Sequence, residues 1–315
     1  MIDFHISVTQ RISSVIERVA PTDLTVLITG ETGVGKEVAA REIASRSPRR
    51  GQAFVKINSA AIPDKLLESE LFGHQRGAFT GADANKIGRI QEAHRGTLFF
   101  DEVTELDRNS QAKLLHMLQE GEFLPLGANE PIRVDVRILA ATNKDLAEEV
   151  EKGTFRQDLF YRLNVVHLVV PPLRDRKEEI PVLAEFFINK YKNHFARSHC
   201  PLITNESYQL MQSYPWPGNV RELENFIKNL ILIQDGASAF SGLRQKINRL
   251  RTRRTTKPSL VEIGRMAEEE AEKKVISTIL QQNGWNRKKT AAMLQISYRS
   301  LLSKIKKFEI ETSNK

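Results

Sequence analysis

Two short stretches of the chain carry residues whose types and spacing suit phosphate chemistry. Residues 30–37 read GETGVGKE, which has the spacing of a glycine-rich phosphate-binding loop that ends in lysine. Between a strand and a helix, such a loop directs backbone N–H groups at phosphate oxygens, and the lysine adds positive charge. An apolar run before the loop and helix-forming residues after it disfavour a chance glycine-rich turn. The candidate nucleotide-binding residues here are Gly30, Glu31, Thr32, Gly33, Val34, Gly35, Lys36 and Glu37.

The second stretch is a pair of adjacent carboxylates after an apolar run. Residues 96–102 read GTLFFDE, so the run ends in Asp101 and Glu102. Successive residues that leave a strand point in different directions, so one acid can reach a metal ion while the other reaches a water molecule. We assign Asp101 to Mg²⁺ and Glu102 to polarising the water that attacks the phosphate. Together the two stretches predict nucleoside triphosphate hydrolysis.

The rest of the pattern predicts the scaffold for these residues. Apolar runs rich in β-branched residues occur at 25–28, 54–57, 97–100, 136–140 and 165–170, with helical periods between most of them. This alternation predicts an α/β layer with a mainly parallel sheet. After Pro171 and Pro172 the segments are helix-like up to about residue 235, which predicts a small helical subdomain.

Positive charge is concentrated at the end of the chain. The net charge is +8, with +11 in residues 236–315 and −3 in residues 1–235. Such a tail is typical of a chain that meets a polyanion such as nucleic acid at one end, although a solvated basic face is the open alternative. Residues 236–265 are predicted to be a linker.

Asn286 can cap a helix that runs to about residue 294, and Ser297 can cap a last helix to about Lys307, which predicts a helix-turn-helix.

Composition excludes several classes of protein. Hydrophobic residues make up 40% and charged residues 27% of 315 residues, as expected for a folded chain of about two domains. The single cysteine, Cys200, excludes internal disulfides, zinc fingers and iron–sulfur clusters. No stretch approaches a membrane span and the first residues do not read as a signal peptide, so we expect a cytoplasmic protein.

Several motifs together resemble a known family. Besides GETGVGKE and GTLFFDE, they are ESELFGHQRGAFTGA at 68–82, ILAATN at 138–143, FRQDLFYRLNV at 155–165 and WPGNVRELEN at 216–225. The sequence resembles the AAA+ ATPase domain of bacterial sigma-54-dependent transcription activators over nearly its whole length. The resemblance implies an α/β P-loop fold with a helical lid, ATP and Mg²⁺ as ligands, and a hexamer as the active form.

The resemblance also implies roles for individual residues. The GAFTGA loop would contact sigma-54, through Gly77, Ala78, Phe79, Thr80, Gly81 and Ala82, with Phe79 exposed. Asn58 would control the position of Glu102, although a strand-end contact with a neighbouring loop is the open alternative. Thr142, Asn143 and Arg221 would sense the nucleotide. Arg156 and Arg162 would act at the ATP site of a neighbouring subunit, whereas a salt bridge with Asp158 is the alternative.

The end of the chain resembles the Fis-type module of many such activators. The first turns of its last helix would meet base edges and the preceding helix would meet phosphates. The candidate DNA-binding residues are Arg287, Lys288, Lys289, Tyr298, Arg299, Ser300, Ser303, Lys304 and Lys307. The implied domains are the ATPase subdomain at 1–170, the lid at 171–235, the basic linker at 236–265 and the helix-turn-helix at 266–315.

The resulting hypothesis is an ATP-dependent activator. It would bind upstream DNA, oligomerise, and remodel the closed complex of sigma-54 RNA polymerase. Because the phosphate-binding loop begins at residue 30, either a separate protein regulates the chain in trans or the chain is a piece of a longer protein. Two alternatives stay open: a AAA+ remodeller or helicase without a sigma partner, and a repressor whose ATPase fold serves only for oligomerisation.

Overall fold

A computed structural model describes residues 10–194, 203–233, 236–255, 260–308 and 310. Cys200 lies outside the described residues. The chain forms two compact units, residues 1–245 and residues 246–315. Among the described residues, no helix has both the length and the apolar character that crossing a membrane requires.

The first unit contains a five-stranded parallel sheet with helices on both faces. The strands are β1 (Val26–Thr29), β2 (Phe54–Asn58), β3 (Thr97–Asp101), β6 (Arg137–Thr142) and β7 (Val166–Val169), in the order β2-β3-β6-β1-β7. A separate antiparallel hairpin pairs β4 (Glu122–Phe123) with β5 (Ile132–Arg133). The helices of this part are α1 (Gln10–Val19), α2 (Lys36–Ser45), α3 (Asp64–Phe72), α4 (Arg89–Glu92), α5 (Arg108–Glu120), α6 (Leu146–Glu151) and α7 (Gln157–Leu163). The predicted parallel α/β layer is confirmed.

Alternation along the strands builds two hydrophobic cores. Side chains of Val26 and Ile28 pack into the core that contains α1 and α2. The neighbouring Leu27 points to the opposite core, which α3 and α5 to α7 cover. A parallel sheet buried on both faces needs apolar residues at successive positions, which explains why the strands read as continuous apolar runs.

The strand register brings all the carboxyl ends to one edge of the sheet. Asn58 pairs with Asp101 in the β2–β3 register, and Asp101 pairs with Ala141 in the β3–β6 register. Thr29, the last residue of β1, pairs with Thr142. The phosphate-binding loop, residues 30–37, leaves this same edge, so the sheet itself assembles the predicted site.

The helical subdomain follows the sheet. It consists of α8 (Ile180–His194), α9 (Asn205–Ser213) and α10 (Asn219–Ile233). Trp216 is fully buried, and its indole N–H donates to the Met211 carbonyl at 2.8 Å. We refer to this subdomain as the lid. The next residues, which composition marked as a linker, form α11 (Gly236–Thr255), so the basic segment is helical there.

The second unit contains the predicted helix-turn-helix. Its helices are α12 (Leu260–Gln282), α13 (Arg287–Met293) and α14 (Tyr298–Lys307), and its core contains Ile276, Leu280, Ala291, Leu301, Ile305 and Phe308. The Asn286 side chain accepts the Lys289 N–H at 3.1 Å, and the Ser297 hydroxyl accepts the Ser300 N–H at 3.1 Å. Both helix caps that the sequence predicted are therefore confirmed.

Candidate nucleotide-binding site and DNA-binding helices

The phosphate-binding loop is shaped to receive an anion. Gly35 has a left-handed backbone with φ of 105° and supplies no side-chain cap to α2. The first N–H groups of a helix have no partner within the helix, and its dipole favours negative charge there. The buried Lys36 ammonium donates to the Gly30 carbonyl at 2.9 Å and so stays within the loop. An uncapped helix start beside a lysine suits a phosphate group.

Glu102 lies against this loop. Its backbone is left-handed, with φ of 58°, directly after β3. One carboxylate oxygen is 3.4 Å from the Lys36 ammonium, and the other accepts the backbone N–H of Asn143 at 3.0 Å. The two contacts fix the carboxylate beside the position where a phosphate would bind, as a group that polarises water requires.

Asp101, the residue before Glu102, belongs to an ion-paired cluster with Lys56 and Glu37. The Lys56 ammonium is 3.1 Å from Asp101 and 2.6 Å from Glu37. Partial burial opposes both charges, but the hydrogen bonds lower the pKa of Glu37 and raise the pKa of Lys56. Mg²⁺ prefers oxygen ligands and is commonly held by one or two carboxylates together with substrate phosphates. The carboxylate of Asp101, next to the loop, fits that donor set.

The three polar residues at the neighbouring strand ends have different environments. Thr142 is fully buried, and its hydroxyl is 3.0 Å from the hydroxyl of Thr104 and accepts the Lys144 N–H at 3.0 Å. Asn143 reaches the loop itself, because its side chain donates to the Thr32 hydroxyl at 2.9 Å. Asn58 accepts the Ala60 N–H at 3.1 Å, while Glu102 contacts Lys36 and Asn143. In this conformation the Asn58 side chain caps the short turn that directly follows β2, and its control of Glu102 stays a prediction.

The three arginines also differ in their surroundings. Arg156 forms a two-point ion pair with Asp158, at 3.0 and 2.7 Å. Arg162 donates to the Leu118 carbonyl at 2.8 Å. Arg221 is exposed, and its backbone N–H donates to the Gly33 carbonyl of the phosphate-binding loop at 3.3 Å. The salt bridge of Arg156 is therefore present in the single chain.

The GAFTGA loop, residues 77–82, forms a tight turn between α3 and α4 that is exposed at Gly77 and at residues 79–81, half-buried at Ala78 and buried at Ala82. Gly77 and Gly81 have φ of 83° and 102°, which other residues rarely adopt, and the Gly77 N–H donates to the Ala82 carbonyl at 2.8 Å. Phe79 is 41% exposed, as predicted, and its ring meets the edge of His74 at 5.0 Å between centroids. Thr80 is exposed. The turn presents an aromatic ring and a hydroxyl.

The basic residues of the helix-turn-helix fall into two groups. Tyr298 and Arg299 are exposed at the start of α14. Lys304 and Lys307, further along α14, form ion pairs with Glu272 and with Glu269 of α12, the latter at 2.8 Å. Of the remaining candidates, Lys288, Lys289 and Ser303 are exposed, and Arg287 and Ser300 are half-buried.

Two features of the site were not predicted from the sequence. Lys56 joins Glu37 to Asp101, and its position two residues before Asn58 in β2 places both on one face of the strand. That spacing was a signal available in the sequence. The contacts of Glu31 with Arg174 and Asn219 join residues that are far apart in the chain, and no local sequence pattern predicts them.

Comparisons with known proteins agree with this arrangement. Residues 3–169 match the family model of the sigma-54 interaction domain, residues 174–259 match the AAA+ ATPase lid domain, and residues 268–308 match the bacterial regulatory protein, Fis family.

Individual proteins are similar over most of this chain. The regulatory protein AtoC of Escherichia coli is 43% identical over 94% of this chain and 65% of its own length. The Nif-specific regulatory protein of Azotobacter vinelandii is 43% identical over 98% of this chain and 59% of its own length. The chain thus spans about three fifths of these two relatives.

A solved structure extends the likeness to the fold. The crystal structure of NtrX from Brucella abortus in complex with ADP has a TM-score of 0.69 and 33% identity, over 95% of this chain and 68% of that one. The complex of the same protein with ATP has the same TM-score and identity, over 95% and 67%. With its P-loop sheet, its lid and its helix-turn-helix, the chain therefore belongs to the family of sigma-54-dependent transcriptional regulators.

Proposed function

We propose that this chain is an ATPase that binds DNA upstream of promoters, assembles into a hexameric ring, and remodels the closed complex of sigma-54 RNA polymerase. The observation that carries the proposal is the meeting of Lys36, Glu102 and Asn143 at one edge of the sheet. The relatives named as regulators and the structures named as ADP and ATP complexes support it.

Different residues of the chain would perform different steps of ATP hydrolysis. Lys36 and the first N–H groups of α2 would bind the phosphates. Glu102, held by the Asn143 N–H, would polarise the attacking water. Asp101 would hold Mg²⁺, which supplies positive charge to the phosphate oxygens. The Lys56 ammonium already lies beside Asp101, so it must share or yield that carboxylate.

The position of the GAFTGA loop supports coupling between hydrolysis and sigma-54. The loop belongs to the segment that joins β2 to β3, and these strands end in Asn58 and Asp101. The segment starts directly after Asn58 and finishes at the beginning of β3, whose last residue is Asp101. Because close-packed interiors deform little, a displacement of Asn58 or of β3 is transmitted to the ends of this segment. We propose that Asn58 and Glu102 change partners during hydrolysis and thereby move the loop.

Replacing Thr80 by alanine is expected to separate the two activities. Because Thr80 is exposed at the tip of the turn, its removal should leave the fold intact. ATP hydrolysis should stay within about two-fold of the unaltered protein, while sigma-54 binding in the presence of an ATP analogue falls about ten-fold or more, as for a central interface residue. Both are measured on the same preparation.

Thr80→Ser, which keeps the hydroxyl, is the matched control and should retain most of the sigma-54 binding. Equal sigma-54 binding by the Thr80→Ala variant and the unaltered protein would favour a remodeller that acts on another target.

The ion pairs of α14 lead to a contrast in DNA binding. Arg299→Ala should weaken binding about ten-fold, because an exposed arginine at the start of the last helix can meet a base edge. Lys304→Ala should weaken it less than about three-fold, because Lys304 lies in the second turn of α14, past the helix start that meets base edges, where its ammonium contacts Glu272. The probe is a duplex that the unaltered protein selects from a random pool, measured by fluorescence anisotropy at several salt concentrations.

Arg299→Lys tests whether charge alone is sufficient. It should keep the salt dependence of the unaltered protein but lose preference for the selected duplex. A larger loss in Lys304→Ala than in Arg299→Ala would show that the Glu272 pair opens on DNA and that Lys304 is the main contact.

A further inference from the structure

The turn that begins α10 is hydrogen-bonded to the phosphate-binding loop through Asn219. This residue is fully buried and has a left-handed backbone with φ of 52°. Its amide nitrogen donates to the Glu31 carboxylate and to the Thr32 carbonyl, both at 3.1 Å. Its amide oxygen accepts the Leu173 N–H at 2.9 Å. Two donors and an acceptor on one short side chain are available only from asparagine, so the site selects the amide.

Glu31 is the matching residue in the loop. Its carboxylate accepts two hydrogen bonds from the Arg174 guanidinium, at 2.9 and 2.6 Å, in addition to the one from Asn219. Hydrogen bonds from Arg174 and then from Asn219 lower the pKa of Glu31. The side chain of Glu31 is therefore engaged by residues that precede and begin the lid helices.

The next two loop residues also contact the lid and the segment that leads to it. A side chain on Gly33 would place its Cβ 2.6 Å from the Gly218 carbonyl and 3.0 Å from Arg221 Cβ, so only glycine allows this approach. The fully buried Arg176 donates to the Val34 carbonyl at 2.6 Å. Contacts at residues 31–34 thus place the backbone of Arg221 against the loop.

We infer that Glu31 and Asn219 are positioning residues for ATP, which hold Arg221 and the start of the lid in one fixed arrangement with the phosphate-binding loop. The inference rests on the proposed function as an ATPase. A loop that has lost these contacts populates other conformations, and the apparent affinity for ATP is the intrinsic affinity multiplied by the fraction of loops that remain competent. The orientation of the lid and the binding of ATP are then coupled, so a change in one shifts the other.

Exchanging the amide and the carboxylate tests this inference. Asn219→Asp places an oxygen opposite the Glu31 carboxylate and the Thr32 carbonyl, so ATP binding should weaken about ten-fold. The double variant Asn219→Asp with Glu31→Gln removes the repulsion between the two carboxylates and places an amide opposite a carboxylate with the donor reversed. The new carboxylate still faces the Thr32 carbonyl, so ATP affinity should recover about three-fold, which is only part of the loss. The probe is a fluorescent ATP analogue with Mg²⁺, and the variants should raise KM more than they lower kcat.

Matched controls distinguish positioning from a general effect on stability. Asn225→Asp makes the same chemical change at an exposed position of α10, and Glu224→Gln removes a charge that pairs with Lys190 inside the lid. Both should bind ATP like the unaltered protein. Arg174→Met removes the exposed partner of Glu31 and should weaken binding about three-fold even if Asn219→Asp fails to fold.

Three outcomes test the roles of Glu31 and Asn219. Recovery of ATP affinity in the double variant supports the inference. Unchanged affinity in Asn219→Asp and Arg174→Met, or no recovery in a folded double variant, overturns it. Failure of the unaltered protein to bind ATP instead contradicts the proposed function, and the two failures are therefore distinguishable.

Discussion

Replacing Glu102 by glutamine is expected to lower the rate of ATP hydrolysis about 10³-fold while ATP binding is kept. The amide has nearly the same shape, so it can still accept the Asn143 N–H that fixes the carboxylate at 3.0 Å. It is not basic, however, and it cannot take a proton from the attacking water. The measurement is phosphate release at saturating ATP, with the fluorescent ATP analogue used to measure binding.

Glu105→Gln is the matched control. Glu105 lies three residues further along, in the turn after β3, and pairs with Lys144 at 2.6 Å. Its loss removes the same charge near the site but not from the reacting atoms, so the rate should change only about two-fold. Rates near zero in the unaltered protein and in Glu102→Gln alike would favour the view that the ATPase fold serves only for oligomerisation.

The elements that position Glu102 were predictable because local patterns specify them. Short apolar runs indicated every strand of the parallel sheet, and single polar residues such as Asn286 and Ser297 indicated helix starts. Each of these signals acts over a few residues, as propensity, periodicity and capping do. The meeting of the site residues at the carboxyl edge of the sheet was predictable from these strands, because parallel strands bring their carboxyl ends to the same edge.

Contacts between distant parts of the chain were not predictable in the same way. Asn219 meets Glu31 across nearly two hundred residues. Nothing in the local sequence states that these side chains are neighbours. Composition also did not indicate secondary structure at residues 236–255, where the basic, polar segment forms α11. Lysine and arginine are good helix formers, so a basic linker can be helical.

The ion pair of Arg156 with Asp158 bears directly on the proposed ring. The side chains are 36% and 45% exposed and are paired in the single chain, where the pair lowers the pKa of Asp158 and raises that of Arg156. Exposed ion pairs contribute little to stability, so a phosphate on a neighbouring subunit can compete for the guanidinium. Arg156→Ala is therefore expected to lower ATP hydrolysis about 10³-fold, whereas Asp158→Asn should lower it far less.

Mixing two inactive variants shows whether Arg156 acts on its own site or on a neighbour's. A subunit with Arg156→Ala keeps Glu102, and a subunit with Glu102→Gln keeps Arg156. If the arginine acts across the interface, an equimolar mixture should regain about a quarter of the unaltered rate, because that fraction of interfaces joins an intact glutamate to an intact arginine. The rate should also rise more steeply than linearly with protein concentration. A mixture as inactive as its components, in rings shown by mass measurement to contain both variants, would place Arg156 within its own subunit's structure rather than at the neighbour's ATP.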